Sequence, residues 1–110
     1  MKYLIFIVTD QTVAHVAEPP GAIQAWLKEG EERRIRLDGN RLRPPDGATL
    51  VRVRDGQTLV TDGPFAETKE WIAGYDILEC RDLAEAVDYV SRHPMARCGQ
   101  IEIRPLWPMD

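Results

Sequence analysis

Hydrophobic and polar positions repeat along the chain with two different periods, which separate strands from helices. Residues 3–8 are continuously apolar, as in a strand buried on both faces, and we place this strand at residues 2–8. Two other stretches have apolar side chains three and four positions apart, the spacing of one helix face. They predict a helix over residues 21–33 and another that begins at Asp82, with Glu85 at capping-box spacing, and stops before Pro94. The apolar positions of these two faces are Ile23, Trp26, Leu27, Gly30 and Leu83, Ala86, Val87, Val90.

The Asp55-Gly56 dipeptide predicts a β-hairpin between residues 49–54 and 57–61. This pair suits the positive φ values of a two-residue type I′ turn, and a two-residue turn fixes which positions face each other. By the two-residue period of a strand, Asp62 follows on the inward, apolar face, where we expect its carboxylate to line the rim of a pocket. The residues predicted to share that face are Val51, Val53, Thr58, Val60 and Asp62.

Three further stretches also have the period of strands. Residues 34–37 predict a short strand that ends in a turn at Asp38-Gly39. Residues 72–80 predict a strand with Tyr75 and Ile77 on one face, and residues 100–104 predict the last strand, with Ile101 and Ile103 facing inward. This order of strands and one-faced helices predicts an α+β sandwich, in which two helices cover one face of an antiparallel sheet.

The second face of such a sheet would remain uncovered. The C-terminal residues 106–109, Leu-Trp-Pro-Met, are apolar where the tail of a monomer is usually polar. A second copy of the chain would hide both surfaces, so we predict a homodimer.

Composition excludes several classes of protein. A chain of 110 residues with 44% apolar and 29% charged residues is typical of one globular domain, here residues 1–110. The formal net charge of -4, with arginines interleaved among acids, argues against a nucleic-acid partner. The apolar run at residues 3–8 is too short for a signal peptide or a membrane span, so we expect a cytoplasmic protein without a membrane partner.

The two cysteines, Cys80 and Cys98, indicate neither a disulfide framework nor a zinc site. They form no CxxC pair and have no histidine at metal-ligand spacing. We therefore expect free thiols, and neither a metal nor a cofactor.

The segment TDGPFAETKE, residues 61–70, has the composition of a site at a strand end. Gly63 can adopt backbone angles closed to other residues and Pro64 fixes its own φ, so Asp62 is held at a rigid corner. Asp62 is our candidate general base or hydrogen-bond acceptor; the alternative is a carboxylate that only closes its own turn. The candidate ligand-binding residues, whose charged members would alternatively form a solvated edge, are Gly63, Pro64, Phe65, Glu67, Lys69, Glu70 and Arg104.

Four stretches together resemble the YCII-related, DGPF-motif family of small bacterial proteins. They are VRVRDGQTLVTDGPFAETKE at residues 51–70, Gly74-Tyr75, RDLAEAV at residues 81–87 and IEIRP at residues 101–105. The resemblance implies a ferredoxin-like fold of the dimeric α+β barrel type, dimerisation through the sheets, and a pocket near Asp62.

One departure from the family bears on catalysis. Relatives carry a histidine on the first helix that is proposed to work with the DGPF aspartate, and the matching position here falls at Ile23 or Gln24. Neither side chain transfers a proton at neutral pH. His15, in the preceding loop, would replace it if that loop folds back over the pocket; the alternative is a solvated loop histidine.

Two functions fit these residues. One is a homodimer whose pocket around Asp62 and Phe65 binds a small polar organic molecule and carries out acid/base chemistry of the lyase or isomerase type. The other is a non-catalytic ligand-binding module, or a regulatory module that meets a protein partner. The lack of a helix histidine favours the second function, and the charge cluster at residues 67–70 favours the first.

Overall fold

Four antiparallel strands form the sheet that carries both helices. The computed structural model describes residues 1–10, 12–13, 18–63 and 70–109. The elements of the main layer pair are β1 (Lys2–Asp10), α1 (Ala22–Glu32), β2 (Arg36–Arg41), β5 (Glu70–Glu79), α2 (Leu83–Val90) and β6 (Gly99–Pro105). The strand order is β2-β5-β1-β6, and each neighbouring pair is antiparallel.

A hairpin, β3 (Thr49–Arg54) and β4 (Gln57–Asp62), is inserted between β2 and β5 and forms a separate two-stranded sheet. Without this insertion the chain is a repeated β-α-β unit, the ferredoxin-like arrangement. The predicted α+β sandwich is therefore confirmed. Within the described residues the main sheet is open, so the barrel expected of a dimer is not closed by one chain.

The hydrophobic core lies between the helices and one face of the sheet. Alternate residues of β1, which are Tyr3, Ile5 and Ile7, are buried on this face, and Leu78 of β5 is opposite Tyr3. Ile101 and Ile103 of β6 pack against the same core, as predicted. The other core residues are Trp26, Ile35, Cys80, Ala86, Tyr89 and Val90.

Trp26 of α1 and Tyr89 of α2 hold the helices together by two reciprocal hydrogen bonds. The indole Nε1–H of Trp26 donates to the carbonyl oxygen of Tyr89 at 2.9 Å, and the phenol of Tyr89 donates to the carbonyl oxygen of Trp26 at 2.8 Å. The two rings stack with their centroids 4.3 Å apart. Each buried polar group is thus paired, so both aromatic rings can enter the core without an unsatisfied donor.

The second strand extends further along the chain than predicted. The second strand runs through Asp38 and Gly39, where we predicted a turn, because Gly39 lets the chain pass close to Asp76: a Cβ on Gly39 would lie 2.0 Å from the Asp76 carboxylate. That carboxylate accepts a hydrogen bond from Arg36 Nε at 2.6 Å.

The second helix begins with the predicted Asp82 cap, whose side chain accepts a hydrogen bond from Glu85 N at 2.9 Å.

The buried face of α2 differs from the predicted one. Leu83 and Val87 are 53% and 50% exposed, whereas Ala86, Tyr89 and Val90 are buried. The helix is rotated because the large ring of Tyr89 replaces the aliphatic side chains as the anchor, which the spacing of aliphatic residues could not reveal.

His93 supplies a pH-dependent contribution to stability. Its ring is 6% exposed, accepts a hydrogen bond from Met95 N at 3.0 Å through Nδ1, and stands edge-on to Trp26. Burial lowers the pKa of His93 to about 4 from its ordinary value of 6.5. The unfolded chain therefore binds this proton more readily than the folded one, and stability is lost as the pH falls from about 6.5 towards 4.

We expect this loss to approach about 3 kcal/mol at the acid end, since each pKa unit is worth about 1.4 kcal/mol. Urea unfolding at pH 7 and pH 4.5 measures it. His93→Asn keeps an acceptor for Met95 N but does not titrate, so its free energy of unfolding should fall less between the two pH values than that of the wild type. Equal falls would show that His93 is not held neutral by burial.

Gly30 of α1 leaves the space that the Tyr89 hydroxyl occupies. A Cβ at this position would lie 2.1 Å from the Tyr89 oxygen and 2.9 Å from Arg36 Cβ. Helix propensity alone predicts that Gly30→Ala stabilises the protein by about 1 kcal/mol. We expect the opposite sign, with a net loss of about 1–2 kcal/mol in chemical denaturation, because overpacking costs about 1–3 kcal/mol. Ala25→Gly on the exposed side of α1 is the matched control and should cost about 1 kcal/mol; a stabilised Gly30→Ala variant would contradict the close fit.

Candidate functional site

The hairpin has the predicted register but not the predicted environment. Val51 is opposite Val60 and Val53 is opposite Thr58, with Asp55 and Gly56 at φ 51° and 75° in the turn. The face that we expected to point inward is exposed, with Val51, Val53 and Val60 at 64%, 59% and 61%. We call this the valine face. The prediction of an inward face is wrong for a single chain, because the hairpin lies outside the main sheet.

Asp62 ends β4 on the valine face, opposite Thr49. Gly63 follows at φ 82°, and its N–H donates to the carbonyl oxygen of Ala48 at 2.7 Å, so the predicted glycine corner is present and is tied to the other strand. The Asp62 side chain is exposed and forms no hydrogen bond or ion pair with the described residues. The carboxylate is therefore open on the side of the described residues, and its predicted place at a pocket rim and its role as a general base both stay predictions.

Most of the other candidate residues are not brought together by the described part of the chain. Pro64, Phe65, Glu67, Lys69 and His15 lie outside the described residues. Their predicted roles are untested, as is a contact between His15 and Asp62.

Glu70 and Arg104 lie at opposite ends of the main sheet. Glu70 begins β5 opposite Asp10 and accepts a hydrogen bond from Gln100 Nε2 at 3.2 Å. Arg104 is opposite Leu4 and pairs with Glu102 at 3.1 Å. Asp10 lies six positions after Leu4 on β1, which is about 20 Å of strand. Within one chain Arg104 is therefore not a neighbour of Glu70.

The ladder between β1 and β5 places Asp10 and Glu70 side by side at one end of the sheet. Asp10 is the last residue of β1, and the segment with His15 follows it; Glu70 is the first residue of β5, and the segment with Phe65 precedes it. Asp10 Oδ1 also accepts hydrogen bonds from Thr12 N at 2.9 Å and Thr12 Oγ1 at 2.5 Å. Sequence reasoning assigned no role to Asp10; its position close behind the apolar run at residues 3–8 was the available signal.

The second face of the sheet carries an apolar strip on its two central strands. The strip residues are half-buried, and they alternate with the core residues of the same strands. Charged and polar side chains flank them, including Glu102 and Arg104 on β6 and Asp38 on β2. The strip consists of Leu4, Phe6, Val8, Tyr75 and Ile77.

A groove of about 280 Å³ lies at the end of the sheet away from Glu70. It is bordered by Met1, Lys2 and the tail residues Leu106, Trp107 and Pro108. Trp107 is 91% exposed. This groove contains none of the candidate catalytic residues.

Cys80 and Cys98 are both free thiols. Burial raises the pKa of the Cys80 thiol, and the Cys98 thiol is half-buried beside Met95 Sδ at 3.7 Å. Within residues 1–10, 12–13, 18–63 and 70–109, no three histidine, cysteine, aspartate or glutamate side chains are grouped as metal ligands. Likewise, no helix in these ranges is long and apolar enough to cross a membrane.

Comparisons with known proteins place the chain in a family. The model of the YCII-related domain matches residues 1–110. A protein of Rhizobium meliloti (strain 1021), described as an uncharacterized protein, is 32% identical over 123 aligned positions, which cover 96% of this chain and 92% of that relative. Together with the ferredoxin-like fold and the DGPF corner at Asp62, these matches show that the chain belongs to the YCII-related family.

Proposed function

We propose that the protein is a homodimer that binds a small polar organic molecule beside Asp62, at the sheet end where β1 stops and β5 begins. The pairing of Asp10 with Glu70 is the observation that carries this proposal. It joins the segment that contains His15 and the segment that contains Phe65 to adjacent strand ends. A ligand at this end would therefore be within reach of both segments.

Asp62 is the acid/base group of the proposed site. Its main chain is held by the ladder to Thr49 and by the hydrogen bond between Gly63 N and Ala48 O, and its carboxylate is open to an incoming molecule. A fixed carboxylate can accept a hydrogen bond from a ligand, or remove a proton from a carbon next to a carbonyl group. His15 is the proposed second proton-transfer group, and a lyase or isomerase step would suit a carboxylate base of this kind.

The homodimer accounts for surfaces that one chain leaves open. The valine face, the strip on the second face of the sheet and the exposed Trp107 are apolar, and soluble monomers rarely expose several such surfaces at once. Burial of at least one of them by a second copy would stabilise the assembly in proportion to the apolar area removed from water.

Asp62→Asn tests the ligand site. The probes are small hydroxy, keto and lactone compounds, ranked first by thermal shift and then titrated by calorimetry. We expect Asp62→Asn to weaken binding of the best probe by about 10- to 100-fold, since a hydrogen bond to a charged group is worth about 1.5–3 kcal/mol.

Asp46→Asn is the matched control, because Asp46 is also an exposed aspartate and lies in the 3₁₀ turn Pro45–Gly47 that precedes the hairpin. It should leave binding unchanged. Equal affinities for wild type, Asp62→Asn and Asp46→Asn would remove Asp62 from the site.

Analytical ultracentrifugation tests the homodimer. The chain has a mass of 12.5 kDa. At about 10 μM protein, a dimer with a dissociation constant of about 1 μM or below should sediment with twice that mass. A single species with the mass of one chain over the whole concentration range would contradict the dimer.

The exposed valine face favours a second candidate, a module that binds another protein. Val51, Val53 and Val60 form an exposed apolar surface of the kind that protein partners cover. The same measurements separate the two candidates. If the protein binds none of the probes and Asp62→Asn leaves its thermal stability unchanged, the result favours the protein-binding module.

A further inference from the structure

The two edges of the main sheet differ in their free backbone groups. On β2 the main-chain N–H of Leu42 donates inward, to Ala73 O, so by the alternation of an antiparallel ladder the N–H groups of Gly39 and Arg41 point away from the sheet. Both of them are already bonded, to Asp38 Oδ1 at 2.8 Å and to Asn40 Oδ1 at 2.9 Å. A register shift between Arg36 and Asp38 further disturbs this strand. The β2 edge therefore offers no free donor at these two positions.

The β6 edge is not closed in this way. Leu106 N donates inward, to Lys2 O, so the outward groups on β6 include the N–H and C=O of Ile101 and Ile103 and the C=O of Pro105. In the described part of the chain these outward groups have no hydrogen-bond partner. Pro105, which has no N–H, ends the strand. An edge with unpaired donors and acceptors is a template for another strand.

The side chains on β6 indicate which strand it accepts. Glu102 and Arg104 are 53% and 65% exposed and lie on the face of the sheet away from the helices. If two copies of β6 run antiparallel about a two-fold axis at Ile103, then Glu102 of each copy lies opposite Arg104 of the other. The strand is thus complementary in charge to a second copy of itself. Cross-strand pairs of opposite charge stabilise the pairing of two strands.

We propose that β6 pairs with β6 of a second copy of this chain, antiparallel and centred on Ile103, to form a continuous eight-stranded sheet. Ile103 would exchange two hydrogen bonds with its counterpart, and the N–H of each Ile101 would donate to the carbonyl oxygen of the other copy's Pro105. The inference rests on the homodimer of the proposed function and supplies its contact surface.

The neighbouring registers are less favourable. A two-fold axis at Glu102 places the two Glu102 carboxylates opposite each other, and like charges directly opposed are destabilising. An axis at Ile101 pairs Glu102 with Gln100, whose amide already donates to Glu70, and leaves Arg104 beyond the paired segment. The tail offers no better strand, because Pro105 and Pro108 interrupt its donors.

The pairing also determines on which side the helices, the apolar strips and the tails of the two copies lie. Antiparallel pairing about an axis perpendicular to the sheet places the helices of both copies on the same side. The two apolar strips then lie on one continuous face, and each tail runs past the Gly99 end of the other β6. Trp107 of one copy would thereby lie near the 3₁₀ turn Pro94–Ala96 of the other.

Disulfide mapping tests the pairing and its register. Glu102→Cys and Arg104→Cys chains, each with Cys98→Ser and with different tags, are co-expressed and oxidised. Opposed residues of a non-hydrogen-bonded pair have Cβ atoms close enough for a disulfide. We expect the mixed disulfide to exceed either homodisulfide by about fivefold, since only the mixed pair is directly opposed. The matched control is Gln100→Cys with Glu102→Cys, which has the same spacing on the same face of β6 but is directly opposed only in the register centred on Ile101, and which should give little mixed disulfide.

Each other outcome contradicts a distinct part of the inference. A homodisulfide between two Glu102→Cys chains that is as abundant as the mixed disulfide would overturn the register centred on Ile103. An absence of disulfides in a protein that sediments as a dimer would overturn the β6 contact and leave the homodimer of the proposed function standing. A monomer in sedimentation together with no disulfide would overturn both.

Discussion

The reciprocal hydrogen bonds between Trp26 and Tyr89 are the interaction on which the layered structure depends. Each ring satisfies its polar atom on the main chain of the other helix, so α1 and α2 are fixed in relative position at the centre of the core. Burial raises the pKa of Tyr89, which keeps the phenol a donor at every physiological pH. The missing side chain of Gly30, the rotation of α2 and the neutral ring of His93 all follow from the space that this pair occupies.

Ion pairs secure the same arrangement from outside. Arg92, which follows α2, pairs with Glu29 of α1, and this guanidinium is the main reason that the pKa of Glu29 is lowered. Beneath the helices Arg36 pairs with Asp76, whose pKa is nevertheless raised because burial outweighs the attraction. The exposed pair contributes little to stability, whereas loss of one partner of the buried pair would leave an uncompensated charge.

Local periodicity predicted most of the fold but little of the site. The hairpin register, the Asp82 cap and the inward side of β6 were correct because each depends on neighbours in sequence or on one turn. The predicted length of β2 was wrong because Gly39 serves the close approach to Asp76, a residue far along the chain, and not a turn. The valine face was placed inside because alternation shows which residues share a face, but it cannot show whether anything covers that face. The exposure of Asp62 has the same origin.

The hairpin that carries Asp62 is a separate unit in the thermodynamic sense. Nearly all of its residues are exposed, and its strands pair only with each other in the described structure. Opening it would expose little additional apolar surface, so urea would act on this unit with a small m-value, and its amide protons would exchange by local opening rather than by global unfolding. The residue with the strongest chemical signature therefore lies in a part of the described structure that the core protects little.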